Sequence, residues 1–239
     1  MTGHETRLSA ADGGSFGAYL AMPSKLPAPG IVVLQEIFGV NGFIREVADG
    51  LAAQGYIAIA PDLFWRQTPG VQLDSDAEAD RGKAFGLYQG LDEKKAVQDS
   101  IAALNALRGM KECSGRVGAL GYCLGGKLAY LMAARSSVDA AVGYYGVGIN
   151  GALDEAAQIR VPVLLHVAGS DHFCPPEAQR QLVEAFSSRT DTVTVVIHEG
   201  VDHAFARTGS GAFRAEAAAR ADQSTREFLK RHLLAAKGE

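Results

Sequence analysis

Short apolar runs alternate along this chain with longer segments whose apolar residues recur at helical spacing. Strands that are buried on both faces of a sheet are continuous apolar runs, and the helices that cover the sheet are amphipathic. The pattern predicts strands at residues 16–21, 31–34, 57–60, 116–120, 140–145, 161–167 and 193–197, the first of them an outer strand. It predicts helices at residues 42–54, 91–108, 127–134 and 176–187 and a long C-terminal helix, with a polar excursion at about residues 68–80.

This alternation of strands and helices predicts an α/β fold. Parallel strands need right-handed crossover connections, so the helices are expected on both faces of a mostly parallel, twisted central sheet. No internal repeat, low-complexity tract or linker interrupts the pattern. We therefore expect residues 1–239 to form a single domain.

Composition and charge exclude several classes of protein. The chain is 47% hydrophobic and 21% charged, with a formal net charge of −4 and scattered Lys and Arg residues, which disfavours a nucleic-acid partner. The chain contains no apolar run of membrane-spanning length and no signal-peptide layout at its start. Its three cysteines have no regular spacing, which argues against a disulfide framework. We expect a cytoplasmic monomer or weak oligomer that binds a small molecule, with no membrane partner, cofactor or metal ion.

The segment Gly121-Tyr122-Cys123-Leu124-Gly125-Gly126 has the spacing of a nucleophile elbow, with cysteine in the nucleophile position. It lies between the predicted strand at residues 116–120 and the predicted helix at residues 127–134. Such a turn holds the nucleophile in a strained backbone and exposes its side chain, while glycines avoid Cβ clashes with the facing backbone. The pattern indicates that Cys123 attacks a carbonyl carbon. The alternative interpretation is that Cys123 is only a small buried residue in a glycine-rich corner between a strand and a helix.

A cysteine nucleophile needs a base, and the base needs an acid that orients it. In the α/β-hydrolase order, the acid and then the histidine follow the nucleophile, each after a later strand. Asp171 follows the predicted strand at residues 161–167, and His203 follows the one at residues 193–197. The order predicts a catalytic triad of Cys123, Asp171 and His203.

Three other histidines are weaker candidates for the base. His172 is adjacent to Asp171 in the chain, which is poor geometry for a hydrogen bond between their side chains. His198 lies at the end of its predicted strand, too early in the chain to reach over the edge of the sheet. Both are predicted to be solvent or loop residues. His166 lies inside an apolar strand and is predicted to be a core histidine with hydrogen-bond partners.

Two glycine-rich patterns would suggest nucleotide binding if taken alone. Residues 121–127 match a P-loop, but Leu128 stands where Ser or Thr would bind magnesium. Residues 146–151 match a dinucleotide-binding motif, but the chain before the next strand is short for the helix that this motif opens. Neither pattern favours nucleotide binding over the elbow.

Several segments together resemble the dienelactone hydrolase (carboxymethylenebutenolidase) family of cysteine-dependent α/β-hydrolases. The resemblance covers about residues 31–228 and is most specific at residues 35–41, 121–126, 143–148, 171–173 and 203–208. It implies an α/β-hydrolase fold and the triad of Cys123, Asp171 and His203. It also implies that a carboxylate-bearing enol-lactone is hydrolysed to maleylacetate through a thioester.

The resemblance implies roles for residues outside the triad as well. Glu36 would work beside the Cys123 thiol, and the backbone N–H groups of Ile37 and Leu124 would form the oxyanion hole. Our own hypothesis for activation is that a substrate carboxylate competes with Glu36 for Arg207 and so frees Glu36 to take the proton of the Cys123 thiol. Substrate contacts are implied for Arg81, Phe85, Tyr144, Ala204 and Arg207, the two arginines binding the carboxylate.

The chain departs from the family pattern at three positions. Ala204 stands where serine is common, Phe85 where tyrosine is common, and Asp202 where glycine is usual. The first two changes remove a hydroxyl group, and the third adds a negative charge that we expect to raise the pKa of His203. The substrate is therefore open to a second interpretation, a related cysteine esterase or lactonase for another activated ester. A non-enzymatic role, in redox sensing or carboxylate binding, is the third.

Overall fold

The computed structural model describes residues 3–234 of the 239-residue chain. The strands are β1 His4–Ser9, β2 Ser15–Ala21, β3 Ala28–Leu34, β4 Ile57–Pro61, β5 Cys113–Tyr122, β6 Ala140–Tyr144, β7 Val163–Ala168 and β8 Val193–His198. The α-helices are α1 Gly42–Ala53, α2 Glu78–Gln89, α3 Glu93–Gly109, α4 Leu124–Arg135, α5 Pro176–Phe186 and α6 Ala215–Leu229. A 3₁₀ segment covers Ile149–Gln158, and a π-helical turn covers Lys230–Leu234.

The chain divides into two compact units, the first formed by residues 3–117 with 209–211. In this unit the strand order is β1-β2-β4-β3, with antiparallel β1–β2 and β2–β4 pairs and a parallel β3–β4 pair. Every residue of β3 is buried, as its apolar run predicts. Helix α1 begins where the side chain of Asn41 accepts a hydrogen bond from the N–H of Ile44 (3.3 Å), which caps the helix.

Two elements of the first unit differ from the sequence predictions. The predicted strand at residues 16–21 is confirmed as β2, but it is not an outer strand, because β1 pairs along its free edge. The sequence of β1 is mostly polar and four of its six residues are exposed, so it lacks a hydrophobic signal. Helix α2 buries only Ala84 and therefore shows no amphipathic pattern, which is why it was not predicted.

The second unit consists of residues 118–208 with 212–234. Its strands follow the order β5-β6-β7-β8 and are parallel throughout, with Tyr122 opposite Tyr144 and Tyr144 opposite His166. Strands β6 and β7 are buried over their whole length, and Pro176 occupies the first turn of α5, where its missing N–H is tolerated. The carboxyl ends of these parallel strands carry the residues of the predicted triad.

The predicted α/β fold class is confirmed, since strands alternate with helices in both units, around a mixed sheet in the first and a parallel sheet in the second. The prediction that the whole chain is a single domain stays a prediction. Within residues 3–234, no helix combines the length and apolar character that crossing a membrane requires.

Candidate active site

Cys123 sits between the end of β5 and the start of α4 in a conformation that L-residues rarely adopt. Its backbone dihedral angles are φ 54° and ψ −116°, and its N–H donates to the carbonyl oxygen of Tyr144 at 3.0 Å. Its carbonyl in turn accepts hydrogen bonds from the N–H groups of Gly126 and Lys127 at 3.0 and 3.3 Å. Strain of this kind persists only where neighbours enforce it, and it is characteristic of a nucleophile elbow.

The tightness of the elbow is set by Gly121. A Cβ built at this position would lie 2.0 Å from the carbonyl oxygen of Gly125, a backbone atom that cannot move aside cheaply. The same construction at Gly126 meets the Tyr144 carbonyl oxygen at 2.6 Å. The glycine pattern in the sequence therefore reflects a close backbone approach, as predicted.

We expect Gly121→Ala to lower the free energy of unfolding by about 3 kcal/mol or more, because the methyl group forces the elbow backbone apart. Chemical denaturation followed by circular dichroism measures the change. Gly151→Ala is the matched control in the same unit, since a Cβ there meets nothing within 4 Å. Equal stability of the two variants would contradict the steric explanation.

Leu124 is the first residue of α4, so its N–H has no acceptor within the helix. That N–H group belongs to the positive end of the helix macrodipole and can donate to a developing oxyanion. Ile37, the second predicted donor, is buried in the first unit in the loop after β3. Their pairing in an oxyanion hole stays a prediction.

Asp171 and His203 form a buried hydrogen-bonded pair at the ends of β7 and β8. Nδ1 of His203 lies 2.8 Å from Oδ2 of Asp171, and the residues are only 9% and 2% exposed. Oδ1 of Asp171 accepts a hydrogen bond from the N–H of Phe173 at 2.8 Å, which fixes the carboxylate. A carboxylate on Nδ1 places the proton there and leaves Nε2 to act as a base.

Since Nδ1 of His203 is bonded to Asp171, Nε2 is the ring nitrogen that can act on the Cys123 thiol. Nε2 is buried, and the Cys123 side chain lies close enough to His203 to raise its pKa through its charge and a hydrogen bond. Burial alone would lower the pKa of His203, but the negative charge of Cys123 and the hydrogen bond to Asp171 outweigh it and raise that pKa to about 10. The protonated form of His203 is therefore stabilised beside Cys123.

Two aromatic rings pack edge-on against the imidazole of His203. The ring centroids of Tyr145 and Phe173 lie 5.0 and 4.9 Å from it. Tyr145 has a strained backbone, with φ 37°. Sequence reasoning did not assign a role to Tyr145, although it follows directly on the predicted site residue Tyr144.

The loop beside the pair holds the one group of possible metal ligands found among residues 3–234. Ligand atoms of Asp171, His172 and Asp202 lie within 4.8 Å of one another. Asp171 already binds His203, and the exposed His172 and Asp202 side chains contact each other at 3.3 Å. The prediction that His172 is a solvent-exposed loop residue is confirmed, and the expectation of no metal ion stays a prediction.

The prediction for His198 is wrong, whereas that for His166 is confirmed. His198 is buried, with Nε2 3.0 Å from Nδ1 of His166, because the end of β8 lies beside β7 rather than in solvent. His166 is 1% exposed and has a second partner in Thr225 Oγ1 at 3.0 Å.

The first unit holds three further predicted site residues. Glu36 follows β3 and is 1% exposed. Arg81 and Phe85 lie on the exposed helix α2, with Phe85 42% exposed. Nη1 of Arg81 donates to the carbonyl oxygens of Ser75 and Asp76 at 3.3 and 2.9 Å, which ties it to the loop before the helix.

The second unit holds the other predicted substrate contacts. Ala204 and Arg207 are buried in the loop after His203, and Ala204 has a positive φ of 63°. The hydroxyl of Tyr144 is buried against Asp222 and Thr225 at 2.9 and 2.7 Å. The assignment of these residues to substrate binding stays a prediction.

The strained turn at Cys123, the buried acid–histidine pair and the order of these residues along parallel strands are the features of an α/β-hydrolase. Residues 16–233 match the dienelactone hydrolase family, and the chain belongs to this family. As the family indicates, it is a hydrolase that acts on an ester.

Similar proteins support this assignment. The chain is 44% identical over 218 residues to the carboxymethylenebutenolidase of Pseudomonas putida, covering 91% of this chain and 92% of that protein. It is 37% identical over 229 residues to carboxymethylenebutenolidase 1 of Cupriavidus pinatubonensis, covering 96% and 97%. Its fold matches the crystal structure of a dienelactone hydrolase-like promiscuous phosphotriesterase from metagenomic libraries, with a TM-score of 0.81, 24% identity and coverage of 98% and 100%.

Proposed function

We propose that this protein hydrolyses a carboxylate-bearing enol-lactone, a dienelactone, to maleylacetate, with Cys123 as the nucleophile. The observation that carries the proposal is the buried Asp171–His203 hydrogen bond, in a pair whose histidine also interacts with the Cys123 side chain at the elbow. The names of the relatives from Pseudomonas putida and Cupriavidus pinatubonensis support the substrate class.

The reaction proceeds in two displacements at the same carbonyl carbon. The Cys123 thiolate attacks the lactone carbonyl, and the tetrahedral oxyanion is stabilised by backbone N–H groups, that of Leu124 among them. The ring C–O bond breaks, a thioester forms, and the released enolate takes up a proton to become the ketone. His203 then activates water, which attacks the thioester and releases the second carboxylate and the thiol.

The leaving group explains why a cysteine serves here. A thiolate is a better leaving group than an alkoxide, so the adduct of a simple alkyl ester tends to collapse back to the starting ester. An enol-lactone expels a stabilised enolate, which lets the forward step compete with expulsion of the thiolate. The choice of a cysteine therefore supports the proposed substrate class, in addition to the family.

Two arginines are proposed to bind the substrate carboxylate. Arg207 is buried four residues after His203, and a buried guanidinium favours a carboxylate that it can bind through two hydrogen bonds. Arg81 comes from the exposed helix α2 of the first unit. Phe85 on the same helix and Ala204 complete the proposed contacts.

Loss of ultraviolet absorbance of a dienelactone, with maleylacetate identified by mass spectrometry, tests the proposal. Enzyme-dependent loss with formation of that product supports it. The second candidate is a cysteine esterase or lactonase for a different activated ester, favoured by Ala204, which offers no hydroxyl to the substrate. No loss of dienelactone, together with release from an activated aryl ester that requires Cys123, would select this second candidate.

We expect Glu36→Gln to lower kcat for dienelactone by about 10²-fold, because the amide cannot take the proton of the Cys123 thiol. Steady-state kinetics measure the effect. Glu184→Gln, an exposed position on α5, is the control that removes the same charge elsewhere. Full turnover by the Glu36 variant would rule out this carboxylate as the group that activates the thiol.

A further inference from the structure

A chain of hydrogen-bonded side chains, buried except for the half-buried Asp222, connects β6, β7, β8 and α6 in the second unit. His198 Nε2 lies 3.0 Å from His166 Nδ1, and His166 Nε2 lies 3.0 Å from Thr225 Oγ1. Thr225 Oγ1 lies 2.7 Å from the hydroxyl of Tyr144, which donates to Asp222 Oδ1 at 2.9 Å. We call these five residues the buried hydrogen-bond chain.

The hydrogens of this chain can all be assigned in one direction. With Asp222 ionised, Tyr144 donates to Asp222 and accepts from the hydroxyl of Thr225. Thr225 accepts from Nε2–H of His166, whose Nδ1 accepts from Nε2–H of His198. Each of the four hydrogens then has one acceptor, so two neutral histidines are accommodated in the interior without an unsatisfied contact in the chain.

The surroundings keep both histidines neutral. Burial, followed by the neighbouring His198, lowers the pKa of His166 to about 3. Burial and then the positive charge of Arg220 lower the pKa of His198. Burial raises the pKa of Asp222, opposed by its hydrogen bond within the chain and by Arg226. The chain therefore needs no protonated histidine at neutral pH.

The chain is attached to the catalytic residues through two adjacent backbone segments. The carbonyl oxygen of Tyr144 accepts the N–H of Cys123 at 3.0 Å, and the N–H of Tyr145 donates to the carbonyl oxygen of His166 at 2.7 Å. The strained Tyr145 then places its ring edge 5.0 Å from that of His203. Both the nucleophile and its base thus contact the two residues at the end of β6.

We propose that His166, Thr225 and Tyr144 are positioning residues for the hydrolysis, which fix the end of β6 and through it the alignment of Cys123 with His203. The inference rests on the proposed function. The buried hydrogen-bond chain positions the thiol through the hydrogen bond between the Tyr144 carbonyl and the Cys123 N–H. It positions the base through the ring contact between Tyr145 and His203. A displacement of about 1 Å in such a site lowers the rate without changing which groups bind substrate.

Two substitutions of Thr225 distinguish a positioning role from a general effect on the stability of the fold. Valine has the shape of threonine without its hydroxyl, so Thr225→Val breaks the chain in its middle, whereas Thr225→Ser keeps the hydroxyl. We expect Thr225→Val to lower kcat for dienelactone by about tenfold with KM changed less than about twofold, and Thr225→Ser to retain most of the wild-type kcat. Circular dichroism confirms that each variant is folded at the assay temperature.

The rate of Cys123 alkylation by iodoacetamide is a second readout that needs no lactone. We expect Thr225→Val to slow it by a factor similar to the loss in kcat, because a misaligned His203 holds the thiolate less well. A wild-type rate in folded Thr225→Val, or a loss shared equally by Thr225→Ser, would overturn the inference. Wild-type protein that does not hydrolyse dienelactone would defeat the proposed function, while alkylation would still decide on positioning.

Tyr144→Phe distinguishes positioning from direct substrate binding by the same hydroxyl. Loss of the hydroxyl leaves Thr225 and Asp222 without their shared partner. If Tyr144 positions the elbow, the variant lowers kcat by about tenfold and leaves KM nearly unchanged. A raised KM with an unchanged kcat would overturn the positioning role and restore Tyr144 as a substrate contact.

Discussion

Cys123→Ala is expected to abolish hydrolysis of dienelactone, with kcat lower by about 10⁵-fold or more, since no other group can form the acyl intermediate. Alanine at the strained elbow position keeps the Cβ and the backbone hydrogen bond to Tyr144, so the fold is retained. The same variant removes the thiolate charge that raises the pKa of His203. We therefore also expect that pKa to fall, which nuclear magnetic resonance titration of the imidazole measures.

The two other cysteines provide the controls for this prediction. Cys113 lies at the start of β5 and is partly exposed, and we expect Cys113→Ala to retain wild-type turnover. Cys174 is buried, and burial followed by the charge of Asp171 raises its pKa to about 11, so it is a poor nucleophile at neutral pH. Turnover that survives in Cys123→Ala would contradict the assignment of the nucleophile.

The acid–histidine pair could be predicted from the sequence because each member follows an apolar strand. A parallel sheet brings the carboxyl ends of such strands together, and the α/β-hydrolase order then leaves one aspartate and one histidine in place. Asp171 and His203 are hydrogen-bonded in the structure, as this reasoning requires. The elbow was predictable for a similar reason, since glycines at fixed spacing around Cys123 indicate a close backbone approach.

Other features could not be predicted because their cause is tertiary. His198 ends its strand between Ile197 and the polar Glu199, and only its register beside β7 shows that it is buried against His166. Thr225 lies on a helix rich in alanine and charged residues, so no motif distinguishes it from a packing residue. The exposed strand β1 and helix α2 lack a hydrophobic pattern, and composition alone gives no signal for them.

Asp171→Asn is expected to lower kcat by about 10³- to 10⁴-fold with a smaller change in KM. An amide nitrogen opposite Nδ1 would favour the tautomer with its proton on Nε2, and that nitrogen could then no longer accept a proton. The substitution also removes a carboxylate whose hydrogen bond raises the pKa of His203, so the histidine is expected to titrate at lower pH. Steady-state kinetics across a pH range measure both effects.

Asp202→Asn is the matched control, because Asp202 also accepts a hydrogen bond from His203, but from its backbone N–H at 2.7 Å. Its side chain is 61% exposed, and an asparagine Oδ1 can accept the same hydrogen bond. We expect this variant to keep kcat within about threefold of wild type, since an exposed charge is well screened by solvent. Equal losses in the two variants would mean that negative charge near the loop, and not the Asp171–Nδ1 hydrogen bond, controls the histidine. A loss confined to Asp171→Asn assigns the orientation of His203 to that single carboxylate.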